Sequence, residues 1–111
     1  MSTLQYSVVR RGKVSIITIG GSLDAKTAPT LNSKIEEELK RDPQTIVINM
    51  NKLAYIASAG LGILISLNEK LSTRNAALKI CEASSKIQKI FKALGFDALF
   101  SFYSTEAEAL K

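Results

Sequence analysis

The hydrophobic and polar positions of this chain predict strands and helices in alternation. The most strongly apolar segment is residues 45–51, where β-branched and other apolar residues occupy both faces of a two-residue repeat. A strand that is covered on both sides has this pattern, because neither face is exposed to water. We therefore expect residues 45–51 to form an interior strand of a sheet.

Two shorter strands are predicted near the start of the chain. Residues 4–9 and 14–19 are strand-like runs, and Gly12 between them suits the turn of an antiparallel hairpin. Gly20 and Gly21 follow directly and are expected to end the second strand.

Helices are predicted on both sides of the interior strand. Before it, Pro29 suits the first turn of a helix, because the missing amide costs nothing there. The core-facing residues of this helix recur every four positions, at Leu31, Ile35 and Leu39. After the strand, residues 52–57 are expected to be a short connection. Ser58 then opens a second helix, whose apolar residues are Leu61, Leu64, Ile65 and Leu71.

The last third of the chain predicts a strand at residues 76–81, a third helix and an edge strand within residues 98–103. The third helix has one apolar stripe, formed by Ile87, Ile90, Phe91 and Leu94. Ser84 or Ser85 is expected to cap the start of this helix, and Gly95 is expected to end it. Ser104 or Thr105 is expected to open a last helical segment. The order of elements predicts an α/β fold with a mixed sheet of four to five strands and about four helices.

Length and composition fit one soluble domain over residues 1–111. A chain of 111 residues can bury a core without disulfides or metal, and 46% hydrophobic with 23% charged residues is ordinary for a globular protein. No apolar run approaches the ~20 residues that cross a bilayer. No signal peptide is visible, so we expect a cytoplasmic protein with no membrane contact.

The lack of histidine restricts the possible chemistry. It removes Ser/His and Cys/His catalysis and most transition-metal sites. The one cysteine, Cys81, ends an apolar run and is expected to be a buried small hydrophobic residue. We also find no acid/base pair with a defined geometry, so we expect no enzyme activity, no cofactor and no metal.

The net charge of +5 is scattered along the sequence. Only Lys86, Lys89 and Lys92 align, at a spacing of three on the predicted third helix, and no aromatic residue interleaves them. We interpret this stripe as a solvated helix face, with a patch for an acidic partner as the alternative. Direct binding of nucleic acid is not expected.

Candidate functional residues cluster where the second helix begins. Partners and ligands of α/β sheets bind beyond the carboxyl ends of parallel strands, where a helix N-terminus presents unpaired amides and a partial positive charge. Ser58 is there, either as a plain N-cap or as a modified residue. Asp24 is either a cap or turn residue, or part of the same surface.

The two glycines of Gly60-Leu61-Gly62 do not make a nucleotide site. A third glycine of the dinucleotide fingerprint is missing, and no Lys-Ser or Lys-Thr pair follows as in a P-loop. We interpret both glycines as steric, because they let the helix start approach the sheet or a docked partner closely.

Two segments together resemble the STAS domain of bacterial anti-sigma-factor antagonists. The first is Gly21-Ser22-Leu23-Asp24 followed by Thr27-Ala28, and the second is Ile56-Ala57-Ser58-Ala59-Gly60-Leu61-Gly62 after the interior strand. The resemblance extends over about residues 6–103. It implies a STAS-like fold, and it departs from the family at Ala57, where an aspartate is usual.

The resemblance also implies a function as a non-enzymatic binding module. Such a protein sequesters an anti-sigma factor that is a serine/threonine kinase, and so frees a sigma factor for transcription. The kinase phosphorylates the serine that matches Ser58, and a phosphatase removes the phosphate. The implied partner-binding residues are Asp24, Ser58, Ala59, Gly60 and Gly62. The alternative is a STAS subunit with a structural role in a transport or signalling complex, in which Ser58 is only a cap.

Overall fold

Residues 3–111, which the computed structural model describes, form a five-stranded mixed sheet with four α-helices packed on it. A 3₁₀ turn at Asp97–Leu99 precedes the last strand. The strands are β1 (Leu4–Arg11), β2 (Val14–Leu23), β3 (Thr45–Ile56), β4 (Ala77–Cys81) and β5 (Ser101–Tyr103). The helices are α1 (Ala28–Leu39), α2 (Ser58–Ser72), α3 (Ser85–Ala93) and α4 (Glu106–Ala109). The predicted fold class and element order are confirmed.

The strands follow one another across the sheet in sequence order, so β3 lies in the middle. The hairpin of β1 and β2 is antiparallel, whereas β2, β3, β4 and β5 run parallel. Ile46 and Ile48 belong to the main core, and Val47 between them packs in a second cluster with Ala109 of α4. The interior position predicted for residues 45–51 is therefore confirmed, because side chains of β3 are buried on both faces of the sheet.

Two predicted boundaries in the sheet are wrong. Residues 52–57 are not a connection, because β3 continues to Ile56 with Leu53 and Ile56 buried. Gly20 and Gly21 do not end β2, which continues to Leu23. The two extensions pair with each other, and at both register shifts the extra residue lies in β3, which is therefore the bulged strand opposite the glycines of β2.

The helix boundaries largely follow the predicted signals. Ser84 caps α3, since its hydroxyl accepts the amide of Ile87 at 3.2 Å. Gly95 has a φ of +81° just after this helix, which is the left-handed conformation that glycine adopts most readily. Thr105 caps α4 by accepting the amide of Glu108 at 3.1 Å. Residues 98–103 only partly form the predicted edge strand, because β5 has three residues.

Candidate functional site

The ends of β2 and β3 bring Asp24 and Ser58 to the same edge of the sheet. Leu23 pairs with Ile56 at the carboxyl ends of these parallel strands. The amide of Ala57 then donates to the carbonyl of Leu23 at 2.8 Å. Asp24 and Ser58 are the next residues of the two segments, so both leave the sheet side by side.

Asp24 holds the loop between β2 and α1 in shape. Its Oδ1 accepts the amides of Lys26 at 3.0 Å and Thr27 at 3.2 Å. The hydroxyl of Thr27 accepts the amide of Asp24 at 2.9 Å and donates to the carbonyl of Ser22 at 2.8 Å. The prediction of a turn residue is confirmed, because an aspartate that binds the amides two and three residues ahead fixes a tight turn.

Ser58 is the first residue of α2, and the N-cap position belongs to Ala57. Ala57 has an extended backbone and no side chain that could accept an amide. The alternative in which Ser58 is an N-cap is therefore wrong. The Ser58 side chain is exposed, and within residues 3–111 it makes no hydrogen bond. Its hydroxyl is accessible to another molecule.

The first turn of α2 also leaves backbone donors available. The carbonyl of Ala57 accepts the amides of Gly60 at 2.9 Å and Leu61 at 3.1 Å. The amides of Ser58 and Ala59 have no acceptor in the described part of the chain. Unpaired amides and the helix dipole together favour negative charge at this position.

Gly60 and Gly62 have different steric surroundings. A Cβ atom on Gly60 would lie 2.5 Å from Cγ of Leu23 and 3.0 Å from the Leu23 carbonyl oxygen. Gly60 is therefore required for the close approach of α2 to the end of β2, as predicted. A Cβ on Gly62 would have no neighbour within 4 Å. The prediction that Gly62 lets the helix approach the sheet is wrong, and only its suggested role toward a docked partner stays a prediction.

An apolar cleft of about 290 Å³ adjoins Ser58. Tyr55, which is 46% exposed, and Leu94, which is 42% exposed, lie on it with half-buried Ile90. The full lining is Tyr55, Ile56, Ala57, Ser58, Ile90, Ala93 and Leu94. The cleft was not predicted from the sequence, which indicated only that Ile87, Ile90, Phe91 and Leu94 form one apolar stripe on α3. Of that stripe, Ile87 and Phe91 are buried in the core, whereas Ile90 and Leu94 line the cleft. The width of the stripe, four residues, was the sequence signal for this cleft.

Away from this site, the carboxylate of Glu38 and the thiol of Cys81 are buried. Glu38 is 2% exposed, and its carboxylate accepts two hydrogen bonds from Arg10 and one from Ser15. The hydrogen bond with Arg10 is the main reason why the pKa of Glu38 lies below its usual value. Burial raises the pKa of the Cys81 thiol to about 12, and Cys81 is fully buried as predicted. A thiol with that pKa stays protonated and unreactive at neutral pH.

The family model of the STAS domain matches residues 5–109. The match covers nearly the whole chain and includes both sides of the Asp24–Ser58 edge. The chain belongs to the STAS domain family.

Several relatives within this family have a similar length. The chain is 27% identical over 108 residues to the anti-sigma-F factor antagonist RsfB of Mycobacterium tuberculosis. That alignment covers 97% of this chain and 88% of the relative. The chain is 26% identical over 106 residues to the anti-sigma-B factor antagonist of Staphylococcus aureus, with 95% and 98% covered. A crystal structure of an anti-sigma factor antagonist from Mycobacterium paratuberculosis superposes with a TM-score of 0.87 at 26% identity, over 97% of this chain and 92% of that one.

Proposed function

We propose that this chain is an anti-sigma-factor antagonist, a non-enzymatic binding module that sequesters an anti-sigma factor and so frees a sigma factor for transcription. Two relatives that match over nearly their whole length carry this function in their names. Within residues 3–111 no helix is long and apolar enough to cross a membrane. We propose that the protein acts in the cytoplasm, where sigma factors direct transcription.

The docking surface in this proposal is the edge where β2 and β3 end. It comprises Asp24, Ser58, Ala59 and Gly62, as the resemblance implies, together with the cleft beside Ser58. Gly60 was also implied, but it is buried against Leu23 and supports this surface only by letting α2 approach β2. The exposed Tyr55 and Leu94 support this choice, because aromatic and large apolar side chains in the centre of an interface contribute most of its binding energy.

Ser58 is the proposed phosphorylation site, and the anti-sigma factor is the proposed serine/threonine kinase. The observation that carries this proposal is the exposed hydroxyl on the first residue of a 15-residue helix, with no cap bond to hold it. Phosphate would add about −1.5 to −2 charge beside the unpaired amides of Ser58 and Ala59, so the free domain tolerates it. A partner surface that fits a neutral hydroxyl would instead bury a dianion, which costs several kcal/mol. A phosphatase then restores the binding form.

The test is titration calorimetry of Ser58→Asp and Ser58→Ala against the anti-sigma factor of the same organism. Ser58→Asp should bind on the order of 100-fold more weakly, whereas Ser58→Ala should bind like the wild type and take up no phosphate from the kinase and ATP. The melting temperature of both variants should stay close to that of the wild type.

Ser85→Asp is the matched control, because Ser85 is also an exposed first residue of a helix. It places the same charge on α3 without touching the cleft beside Ser58. Equal affinity of the wild type and Ser58→Asp, with no phosphate detected by mass spectrometry, would instead favour the structural STAS subunit.

A further inference from the structure

A second cleft lies at the opposite end of the sheet from Ser58. It has a volume of about 410 Å³, and it opens where β2 and β3 begin. Its lining comes from the β1–β2 hairpin and from the segment that joins α1 to β3. The lining residues are Arg10, Gly12, Lys13, Ser15, Arg41 and Pro43.

The charged residues that line this cleft are all cations. The lining includes Arg10, Lys13 and Arg41, and it contains no aspartate or glutamate. Arg41 is distant in the sequence from Arg10 and Lys13, but the fold places all three around one cavity. The hairpin and the α1–β3 segment are tied together there, since the carbonyl of Lys13 accepts the amide of Gln44 at 2.8 Å. Three cationic side chains therefore meet at this end of the sheet.

Arg10 is held in one orientation. Its Nε donates to Oε2 of Glu38 at 3.0 Å, and its Nη2 donates to Oε1 at 2.8 Å. The hydroxyl of buried Ser15 donates to the same carboxylate at 2.6 Å. This bidentate pair uses one edge of the guanidinium and leaves its remaining N–H donors available. A fixed guanidinium loses little conformational entropy when an anion binds to it.

The charges around the cleft do not cancel. The single carboxylate of Glu38 pairs with Arg10 and also attracts Arg41, whereas no salt bridge within residues 3–111 involves Lys13 or Arg41. Two cations and a fixed guanidinium edge suit a small anion with several oxygen atoms.

We propose that this cleft binds a small phosphate-bearing anion through Arg10, Lys13 and Arg41. The volume lies in the range of small-molecule sites, which is roughly 300–1,000 Å³. A nucleic-acid strand is disfavoured as the ligand, because such sites combine basic residues with aromatic stacking surfaces. No aromatic residue is among those that line the cleft.

Calorimetric titration of the whole chain with pyrophosphate at low ionic strength tests this site. The double variant Lys13→Gln/Arg41→Gln should bind at least ~10-fold more weakly than the wild type, because two charge-assisted contacts are lost. The control Lys89→Gln/Lys92→Gln removes the same charge from α3 and should bind within about twofold of the wild type. Arg10 stays unchanged, since its loss would leave the buried Glu38 without its partner.

Three outcomes would overturn the proposal. The first is no pyrophosphate binding to the wild type, and the second is an equal loss of affinity in both double variants, which would indicate general charge attraction. The third is that the wild type binds phosphatidic acid vesicles but not pyrophosphate, and that the double variant Lys13→Gln/Arg41→Gln no longer binds the vesicles. Should the double variant lose its melting transition, exposed Lys13→Gln alone supplies the comparison with exposed Lys89→Gln.

Discussion

Replacing each of the two glycines of α2 by alanine should change stability in opposite directions. A new Cβ at Gly60 would lie 2.5 Å from Cγ and 2.9 Å from Cδ2 of Leu23, and 3.0 Å from the Leu23 carbonyl oxygen. Leu23 is fully buried and cannot move aside freely. At Gly62 the same methyl group has no neighbour within 4 Å.

The magnitudes follow from overpacking and helix propensity. Overpacking a buried contact typically costs about 1–3 kcal/mol, and alanine regains about 0.5–1 kcal/mol over glycine in a helix. Gly60→Ala should therefore lower the free energy of unfolding by about 1–2 kcal/mol. Gly62→Ala meets no clash, so it should raise the free energy of unfolding by about 0.5–1 kcal/mol.

Equilibrium unfolding in urea measures both changes, with circular dichroism as the signal. A shift of the midpoint at constant slope reports a change of stability rather than a change of the denatured state. If both variants shifted in the same direction, the steric distinction between Gly60 and Gly62 would be refuted. If Gly62→Ala is more stable but binds the anti-sigma factor more weakly, the partner and not the sheet requires Gly62.

Two further substitutions test the buried ion pair and the Asp24 loop. The pKa of Glu38 lies below its ordinary value of 4.5, mainly because of its hydrogen bond with Arg10, so the pair adds stability above about pH 4.5 that is lost as pH falls through the lowered pKa. Glu38→Gln should lower the free energy of unfolding by about 1–3 kcal/mol at pH 7, and the free energy of unfolding of the variant should fall less in acid than that of the wild type. Urea titrations at pH 7 and pH 3 measure this, and a pH dependence equal to that of the wild type would contradict it. Asp24→Ala removes the acceptor for the amides of Lys26 and Thr27 and should cost about 1 kcal/mol, whereas Asp24→Asn keeps an acceptor oxygen and should cost less. Asp24→Asn should nevertheless weaken binding of the anti-sigma factor in calorimetry, and unchanged affinity would limit Asp24 to its role in the loop.

Local patterns were sufficient for most of the fold. The interior position of β3 followed from its apolar residues, since a strand exposed on one face would carry polar residues at every second position. The ends of α3 followed from Ser84 and Gly95, because capping depends on side chains and backbone angles within a few residues.

The errors occurred where pairing partners decided the outcome. β2 and β3 both continue past residues that disfavour strands, because each extension completes the hydrogen bonds of the other. The period of α3 placed Leu94 on the apolar stripe but did not show its exposure, and the packing of this helix leaves it 42% exposed beside Ser58. A helical period indicates which residues share a face, but it does not show how much of that face the neighbouring elements cover.

The sequence by itself determined the α/β class, the central strand, most helix boundaries and the resemblance that led to Ser58. Only the tertiary structure decided that Ser58 is not a cap, that Gly60 but not Gly62 is tightly packed, and that Arg10, Lys13 and Arg41 surround one cleft. The physical reason is the range of the interactions. Propensity, capping and periodicity act within a few residues, whereas close approach, exposure and charge clustering depend on segments that are distant in the chain.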